Sequence, residues 1–494
     1  MMPLTDLRQY IEALRNIGEI QEVVAPVSLN LEIGAIIRCC SETGAPAPLF
    51  NAFSDHPSGF RILGAPAATS AQPDLELVRA ATSLELPPTS SGLDIVEAIA
   101  GSLDLPAVEP ERVDNAPCFE NLTTGDDVDL NCLPVPLLHD GDGGRYLNTF
   151  GCIVARTPDG SWTNWSIARM MVVDGKRMTG IVAPEQHIGM VAKAWADIGK
   201  PMPFALALGV EPSIPFICAM PLPAKVSEAD RLGALMRRPI KTVRCQTIDL
   251  DAPASAEILI EGHLHLNEKT NEGPMGEYPG YVPVEPARNG PIYHVSAMSY
   301  RNNAILPVVV AGEPAEENHT VWGTCISAQV LHDLRAAGIP ATAVWIPLRA
   351  AMHWLVVTVA REWGRRTGIE TSRAFCQRIG RIVFKTKAGI VIPKVIVLND
   401  DVDPTNLGEL VWAFATRCHP LKGHSMFGHK PADPLVAYLR QSEKICATTG
   451  KIVYNCLPPD EWGEVLPIRA SFHHGYPPEI VDRVMQRWSE YGFS

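Results

Sequence analysis

Apolar positions recur every three or four residues at the start of the chain. Leu7, Ile11 and Leu14 share one helical face behind Thr5-Asp6, and Gly18 ends the run. A second helix is predicted over 29–40, short strands over 48–50 and 60–63, and a helix over 93–102. Residues 106–117 are Pro-rich and polar and read as a linker. From Cys118 the pattern becomes strand-like. Runs at 151–156, 162–173, 178–182, 204–209, 241–249, 256–266, 291–300 and 305–311 are separated by turn residues at 158–160, 173–176 and 301–303. They predict a barrel or folded sheet, interrupted by helices at 188–198 and 228–236. After Glu313 helices (327–337, 372–379, 406–417) alternate with strands (341–346, 352–359, 390–398), which predicts helices packed on a sheet. A last helix is expected over 479–491. The pattern divides the chain into 1–117, 118–312, 313–460 and 461–494.

Composition narrows the function. A chain of 494 residues, 46% hydrophobic and 20% charged, can bury a large core in two or three domains. A net charge of -13 disfavours nucleic acid as the main partner. The 12 cysteines form no C-x-x-C pair and sit in apolar segments, as free thiols do. The first helix carries acids, unlike a signal peptide, and the apolar runs fall short of the roughly 18–20 residues of a membrane span. A cytoplasmic protein is expected, with no membrane partner.

The stretch 164–169, N-W-S-I-A-R, puts an amide, a hydroxyl and a guanidinium into an apolar strand. By strand alternation Asn164, Ser166 and Ala168 share one face, and Trp165, Ile167 and Arg169 the other. Buried polar groups need partners. Asn164, His187 and Glu228 offer an amide oxygen, an imidazole and a carboxylate, a set suited to magnesium or manganese. Spread over 64 positions, they are no metal site by spacing alone and read first as a core histidine and a helix-cap glutamate behind Ser227. Glu272 and Glu277 lie in N-E-G-P-M-G-E-Y-P-G, a stiff irregular loop. Two close carboxylates with Arg169 nearby suit acid/base chemistry; a solvated acidic hairpin tip is the other reading. The glycine-rich run 139–146, H-D-G-D-G-G-R-Y, resembles an anion loop only loosely and reads as turns. Lys387, in K-A-G, suits either a phosphate contact or a plain surface position. No G-x-S-x-G, zinc or dinucleotide signature is present.

In order along the chain, these segments resemble the UbiD-type decarboxylases, which use prenylated flavin mononucleotide (prenylated FMN). The resemblance rests on L-E-I-G-A-I at 31–36, A-P-L-F-N at 47–51, R-I-L-G-A-P at 61–66, L-P-V-P-L-L-H at 133–139 and D-G-G-R-Y at 142–146. It continues through P-D-G-S-W-T-N-W-S-I-A-R at 158–169, E-G-P-M-G-E at 272–277, Y-R-N-N-A-I at 300–305 and W-A-F-A-T-R-C at 412–418. Among members the chain is similar to the ferulic and cinnamic acid decarboxylases and to those acting on pyrrole- or indole-type carboxylates.

The resemblance implies an α+β / α/β protein: a β-rich split-barrel cofactor domain behind an N-terminal α/β segment, then a C-terminal α/β sandwich that forms a homodimer, and a C-terminal helix. It implies Asn164, His187 and Glu228 as manganese ligands against the cofactor phosphate. Trp165, Ile217, Cys218, Met220 and Glu228 are implied at a potassium site, where Cys218 replaces a serine of close relatives and weakens the match. Asn164, Trp165, Ser166, Ile167, Ala168, Arg169, Gln186, His187, Met220, Glu228 and Lys387 are implied to contact the flavin. Arg169, Glu272 and Glu277 match a catalytic Glu-Arg-Glu network with Glu277 as proton donor. The implied reaction is reversible, non-oxidative decarboxylation through a covalent adduct with the modified flavin, which a flavin prenyltransferase supplies.

Tyr278, Asn318 and Trp322 are expected in the substrate pocket. Trp322 offers a flat stacking face and Asn318 an acceptor for a ring N–H. A compact heteroaromatic acid, pyrrole-2- or indole-3-carboxylate in type, is therefore expected over an acrylic acid of cinnamic or ferulic type. A metal-dependent hydrolase without flavin and a non-catalytic assembly partner are the rival readings.

Overall fold

The computed structural model describes residues 3–283, 287–459 and 467–493. The first helix, Leu7–Asn16, is capped by Asp6, whose side chain accepts from the Gln9 N–H. Its apolar face, with Tyr10, Ile11 and Leu14, packs against a four-stranded sheet made of Ile20–Val23, Ala47–Phe50, Phe60–Gly64 and Ala304–Val308.

A nine-stranded sheet forms the middle of the molecule. Its path runs Tyr146–Asn148, Met170–Asp174, Arg177–Gly180, Arg288–Tyr300, Ile258–Glu272, Met202–Leu208, Cys152–Arg156, Thr163–Ser166, with Asn121–Thr124 added beside Arg288–Tyr300. The chain passes between opposite ends of this path twice, through residues 149–151 and through residues 167–169. Each passage takes three residues, so the sheet must curl until its two ends meet. Asn148 ties both passages: its Oδ1 accepts from Gly151 N at 2.7 Å and its Nδ2 donates to Ala168 O at 2.6 Å. The expected single strand over 162–173 is thus two strands, Thr163–Ser166 and Met170–Asp174, on either side of the seam.

The C-terminal sheet has five strands, ordered Ala341–Trp345, Trp354–Val359, Lys394–Asn399, Thr448–Asn455, His424–Pro431. It is covered on both faces, which explains its continuous apolar strands. Leu355, Val357, Val395 and Val397 face the helices Gly323–Ala336 and Ser372–Val383. Val356, Ile396 and Leu398 face Leu410 and Ala413 on the helix Leu407–Arg417.

Four expectations need correction. Residues 106–117 are no mere linker, because Glu111–Val113 pairs in parallel with Lys241–Arg244. The strand expected over 241–249 ends at Arg244; the next residues turn so that Gln246 N and Thr247 N can bond the buried Glu261 carboxylate. Residues 388–391 form a helical turn before the strand Lys394–Asn399. The last helix is Pro478–Gln486, and it buries no side chain.

Candidate active site

Arg169 stands at the end of the seam, one residue before the strand resumes. Its Nε donates to Glu272 Oε1 at 2.9 Å and an Nη donates to Glu272 Oε2 at 3.0 Å. The remaining Nη donates to Glu277 Oε1. Glu272 is the last residue of the strand Ile258–Glu272 and is 1% exposed. Glu277 lies five residues on, where its N–H bonds back to Tyr281 O at 3.0 Å. The seam and the loop therefore bring Arg169 to two carboxylates that lie more than a hundred positions further along the chain.

Tyr146, which sequence reasoning did not single out, completes the set. Its hydroxyl donates to Glu272 Oε1 at 3.0 Å, and its ring lies 5.8 Å from the Arg169 guanidinium carbon. Burial, then the Glu272 charge, pushes its phenol well above the usual range, so it stays a donor. Glu272 thus accepts three hydrogen bonds and is fully committed. Glu277 is the freer carboxylate.

The glycine-rich run 139–146 is not an anion loop. It is the seat of the loop that carries Glu277. Gly143 N donates to Pro274 O at 2.7 Å and Gly276 N donates to Asp142 Oδ1 at 2.9 Å. A Cβ on Gly143 would lie 2.0 Å from Gly273 O, and one on Gly276 would lie 2.4 Å from the His139 ring. Only glycines permit this approach.

A second polar group surrounds Glu228, the first residue of the helix Glu228–Met236, whose cap Ser227 accepts from Asp230 N at 3.2 Å. Glu228 Oε1 accepts from Asn164 Nδ2 at 2.9 Å and lies 3.0 Å from His187 Nδ1; Oε2 accepts from Trp165 N at 3.0 Å. All three polar side chains are buried. Asn164 Oδ1 and Ser166 Oγ, on one face of the strand Thr163–Ser166, are buried without a partner. Such orphaned acceptors mark a place where a polar ligand or cation completes the structure. Lys387 borders this region; burial pushes its amine down to about 8, with the Glu228 charge opposing. Gln186 precedes the helix His187–Asp197 as its N-cap residue.

Not every expected residue is placed to serve. Cys218 is buried beside Cys152, and burial together with that neighbour holds its thiol well above the ordinary value. A neutral thiol is a poor potassium ligand. Ile217 O accepts from Met220 N at 3.1 Å, which leaves its second lone pair open. Tyr278 turns its hydroxyl away to Asp433 Oδ2 at 3.3 Å, and its ring meets Trp322 edge to face at 5.4 Å. Asn318 Nδ2 donates to both Glu316 oxygens at 3.0 Å. That pairing commits the amide nitrogen and leaves the amide oxygen as the group open to a further donor.

A guanidinium fixed between two carboxylates handles two things well: a substrate carboxylate and a proton. The site is therefore that of an acid/base enzyme acting on an anion. Comparison with known proteins makes the class specific. Residues 11–99, 111–314 and 319–456 match the N-terminal, Rift-related and C-terminal domains of 3-octaprenyl-4-hydroxybenzoate carboxy-lyase. The pyrrole-2-carboxylic acid decarboxylase of Pseudomonas aeruginosa is 43% identical over 490 residues, covering 99% of this chain and 98% of that one. Ferulic acid decarboxylase 1 of Saccharomyces cerevisiae is 36% identical over 498 residues, covering 99% of each. Among solved structures, vanillic acid decarboxylase of Sedimentibacter hydroxybenzoicus in closed form shares the fold with TM-score 0.83 at 23% identity, over 99% of this chain and 98% of that one. An evolved dimeric form of the UbiD-class enzyme HmfF from Pelotomaculum thermopropionicum, in complex with prFMN, has TM-score 0.77 at 23% identity, over 94% and 97%. The chain belongs to the UbiD family of carboxy-lyases and is a decarboxylase. No helix among the described residues is long and apolar enough to cross a membrane.

Proposed function

We propose that this protein decarboxylates a compact heteroaromatic acid, of pyrrole-2- or indole-3-carboxylate type, with prenylated FMN bound along the seam. The observation that carries the substrate class is the orientation of Asn318. Glu316 holds its amide nitrogen, so its oxygen is the group left to accept from a ring N–H. Trp322, one turn further on, adds a flat face. The 43% identity to the Pseudomonas aeruginosa pyrrole-2-carboxylic acid decarboxylase supports the same reading.

The residues present fit a flavin phosphate with its cation. Asn164 Oδ1 and Ser166 Oγ await partners, and Lys387 supplies an ammonium. Asn164, His187 and Glu228 would hold a manganese ion, all hard or borderline donors. A potassium ion at Trp165, Ile217, Cys218, Met220 and Glu228 has weaker support, because Cys218 brings a neutral thiol. Gln186, Ile167 and Ala168 would line the flavin. When bound, prenylated FMN supplies the electron sink that no side chain offers to a carbanion at an sp2 carbon.

The protein's own residues do the rest. Arg169 orients the substrate carboxylate by charge-assisted hydrogen bonds. Glu272 and Tyr146 keep the guanidinium in one plane while Glu277 releases it. Glu277, once it has left Arg169 and taken a proton from water, delivers that proton from its carboxyl oxygen to the carbon that carbon dioxide has left and returns to the carboxylate. In the carboxylation direction the same oxygen removes that proton. The segments 1–117, 118–312, 313–460 and 461–494 would divide the work, the second holding cofactor and metal and the third pairing two copies. Leu407, Val411 and Trp412 on the outer helix and Met485, Trp488 and Phe493 in the tail are exposed, which supports a homodimer. A flavin prenyltransferase would supply the cofactor.

The test is a substrate panel with cofactor-loaded enzyme. Faster turnover of pyrrole-2- or indole-3-carboxylate than of cinnamate or ferulate is expected, with the preference lost in Asn318→Leu. Equal or better turnover of cinnamate would overturn the substrate class.

A further inference from the structure

Away from the site, on the outer face of the curled sheet, two imidazoles converge on one carboxylate. His265 Nδ1 lies 3.0 Å from Glu268 Oε1, and His294 Nε2 lies 2.7 Å from Glu268 Oε2. The two rings meet edge to face at 4.7 Å. One ligand atom from each residue falls within 4.8 Å of the other two. We propose that His265, Glu268 and His294 form a surface site for a borderline divalent cation, zinc foremost.

The local chain explains how the three meet. The strands Ile258–Glu272 and Arg288–Tyr300 pair with His263 opposite His294 and His265 opposite Ile292. Side chains two apart share a face, so His265 lies diagonal to His294 on the solvent side. The ladder then breaks: Lys269 pairs with Pro291, next to the partner of His265. Residues 266–268 are extra and loop out as a bulge. Bulges re-aim side chains, and this one brings the Glu268 carboxylate between the two rings. The nearest cation on the next strand, Arg177, is held by Asp174 at 2.7 Å.

The donor chemistry fits. Two imidazoles and one carboxylate supply three of the four ligands of a tetrahedral zinc set, with water as the fourth. Side-chain exposures of 35%, 48% and 39% leave the cluster open to ions from solution. A cation here would fasten the bulge four residues before Glu272.

The experiment measures zinc uptake by competition with a chromophoric chelator, using the whole protein in wild-type, H265A/H294A, E268Q and Glu228→Gln forms. Wild type should bind one equivalent more than H265A/H294A, E268Q should bind that equivalent at least ~10-fold more weakly, and Glu228→Gln should retain it. Hydrogen exchange on unsubstituted protein gives a second reading free of variants: zinc should slow exchange in 262–270 and 291–296. Equal zinc uptake by wild type and H265A/H294A, or no slowing in those segments, would overturn the site.

Discussion

Glu272 grips Arg169 through two parallel hydrogen bonds, at 2.9 and 3.0 Å, whereas Glu277 touches the same guanidinium through one oxygen. The bidentate contact fixes the plane of the guanidinium. The single contact can open without moving it. That asymmetry supports the proposed roles, Glu272 positioning Arg169 and Glu277 handling the proton.

Replacing Glu277 by Gln keeps the hydrogen-bonding shape and removes the proton. Turnover should fall by ~100-fold or more. Exchange of the product's ring hydrogen in deuterated water should fall with it, while flavin binding stays as in wild type. Decarboxylation and exchange at wild-type rates would remove Glu277 from the mechanism.

Lys387 is the ammonium that feels the Glu228 charge at the proposed flavin cradle. Lys387→Met should weaken flavin mononucleotide binding by ~10-fold or more, the loss of one charge-assisted phosphate contact. Quenching of flavin fluorescence on titration measures it. Riboflavin, which has no phosphate, should bind both proteins equally.

Gly276 is pressed against His139, with room for no side chain. Gly276→Ala should push the loop off its seat and cost about 1–3 kcal/mol of local packing. Because the loop ends in Glu277, kcat should drop further than the melting temperature would suggest. Restored turnover in Gly276→Ala with His139→Ala would identify the clash as the cause.

Lys451 gives the pH test. It is 2% exposed, with its amine donating to Gly389 O and, at 2.9 Å, to Ile390 O. Burial pushes it from 10.5 down to about 7, against the opposing pull of Asp433. Between those values the unfolded chain binds the extra proton, so this group makes stability rise with pH across that window. Below about 7 its full cost is present. Lys451→Met removes the cost but leaves two carbonyls unbonded. The variant should therefore melt at least ~2 °C above wild type near pH 6, and that advantage should vanish by pH 9. A constant difference across the range would show that the amine does not titrate there.

Much of the site was legible because its residues are chemically out of place. Three polar groups in one apolar run marked 164–169 as a site, although the run is not one strand: it ends at Ser166 and resumes at Met170. Asn164, His187 and Glu228, 64 positions apart, do meet, as do Arg169, Glu272 and Glu277. What stayed hidden depends on partners far along the chain. Gly143 and Gly276 look like turn residues until each is seen against the other's loop. Tyr146 sits in a run that reads as turns, and only Glu272 gives its hydroxyl a purpose. The strand Glu111–Val113 is only three residues, two of them charged, and its partner lies about 130 positions away. The hairpin of His424–Pro431 with Thr448–Asn455 was missed for another reason: its first strand is half exposed and carries Gly428 and Pro431, so it shows no clean alternation.

The seam at 167–169 sets a limit of its own. Four Cα steps join Ser166 to Met170, a reach of at most about 14 Å fully extended. The companion passage at 149–151 is as short, and Asn148 stitches the two. The sheet's ends cannot spread to admit a bulkier guest from this side. If the substrate lies where proposed, any change in the size of acid accepted has to be made at 277–278 and 318–322, where the chain is loop and helix rather than ladder. Descendants of this protein that take larger substrates should differ there and leave the seam alone.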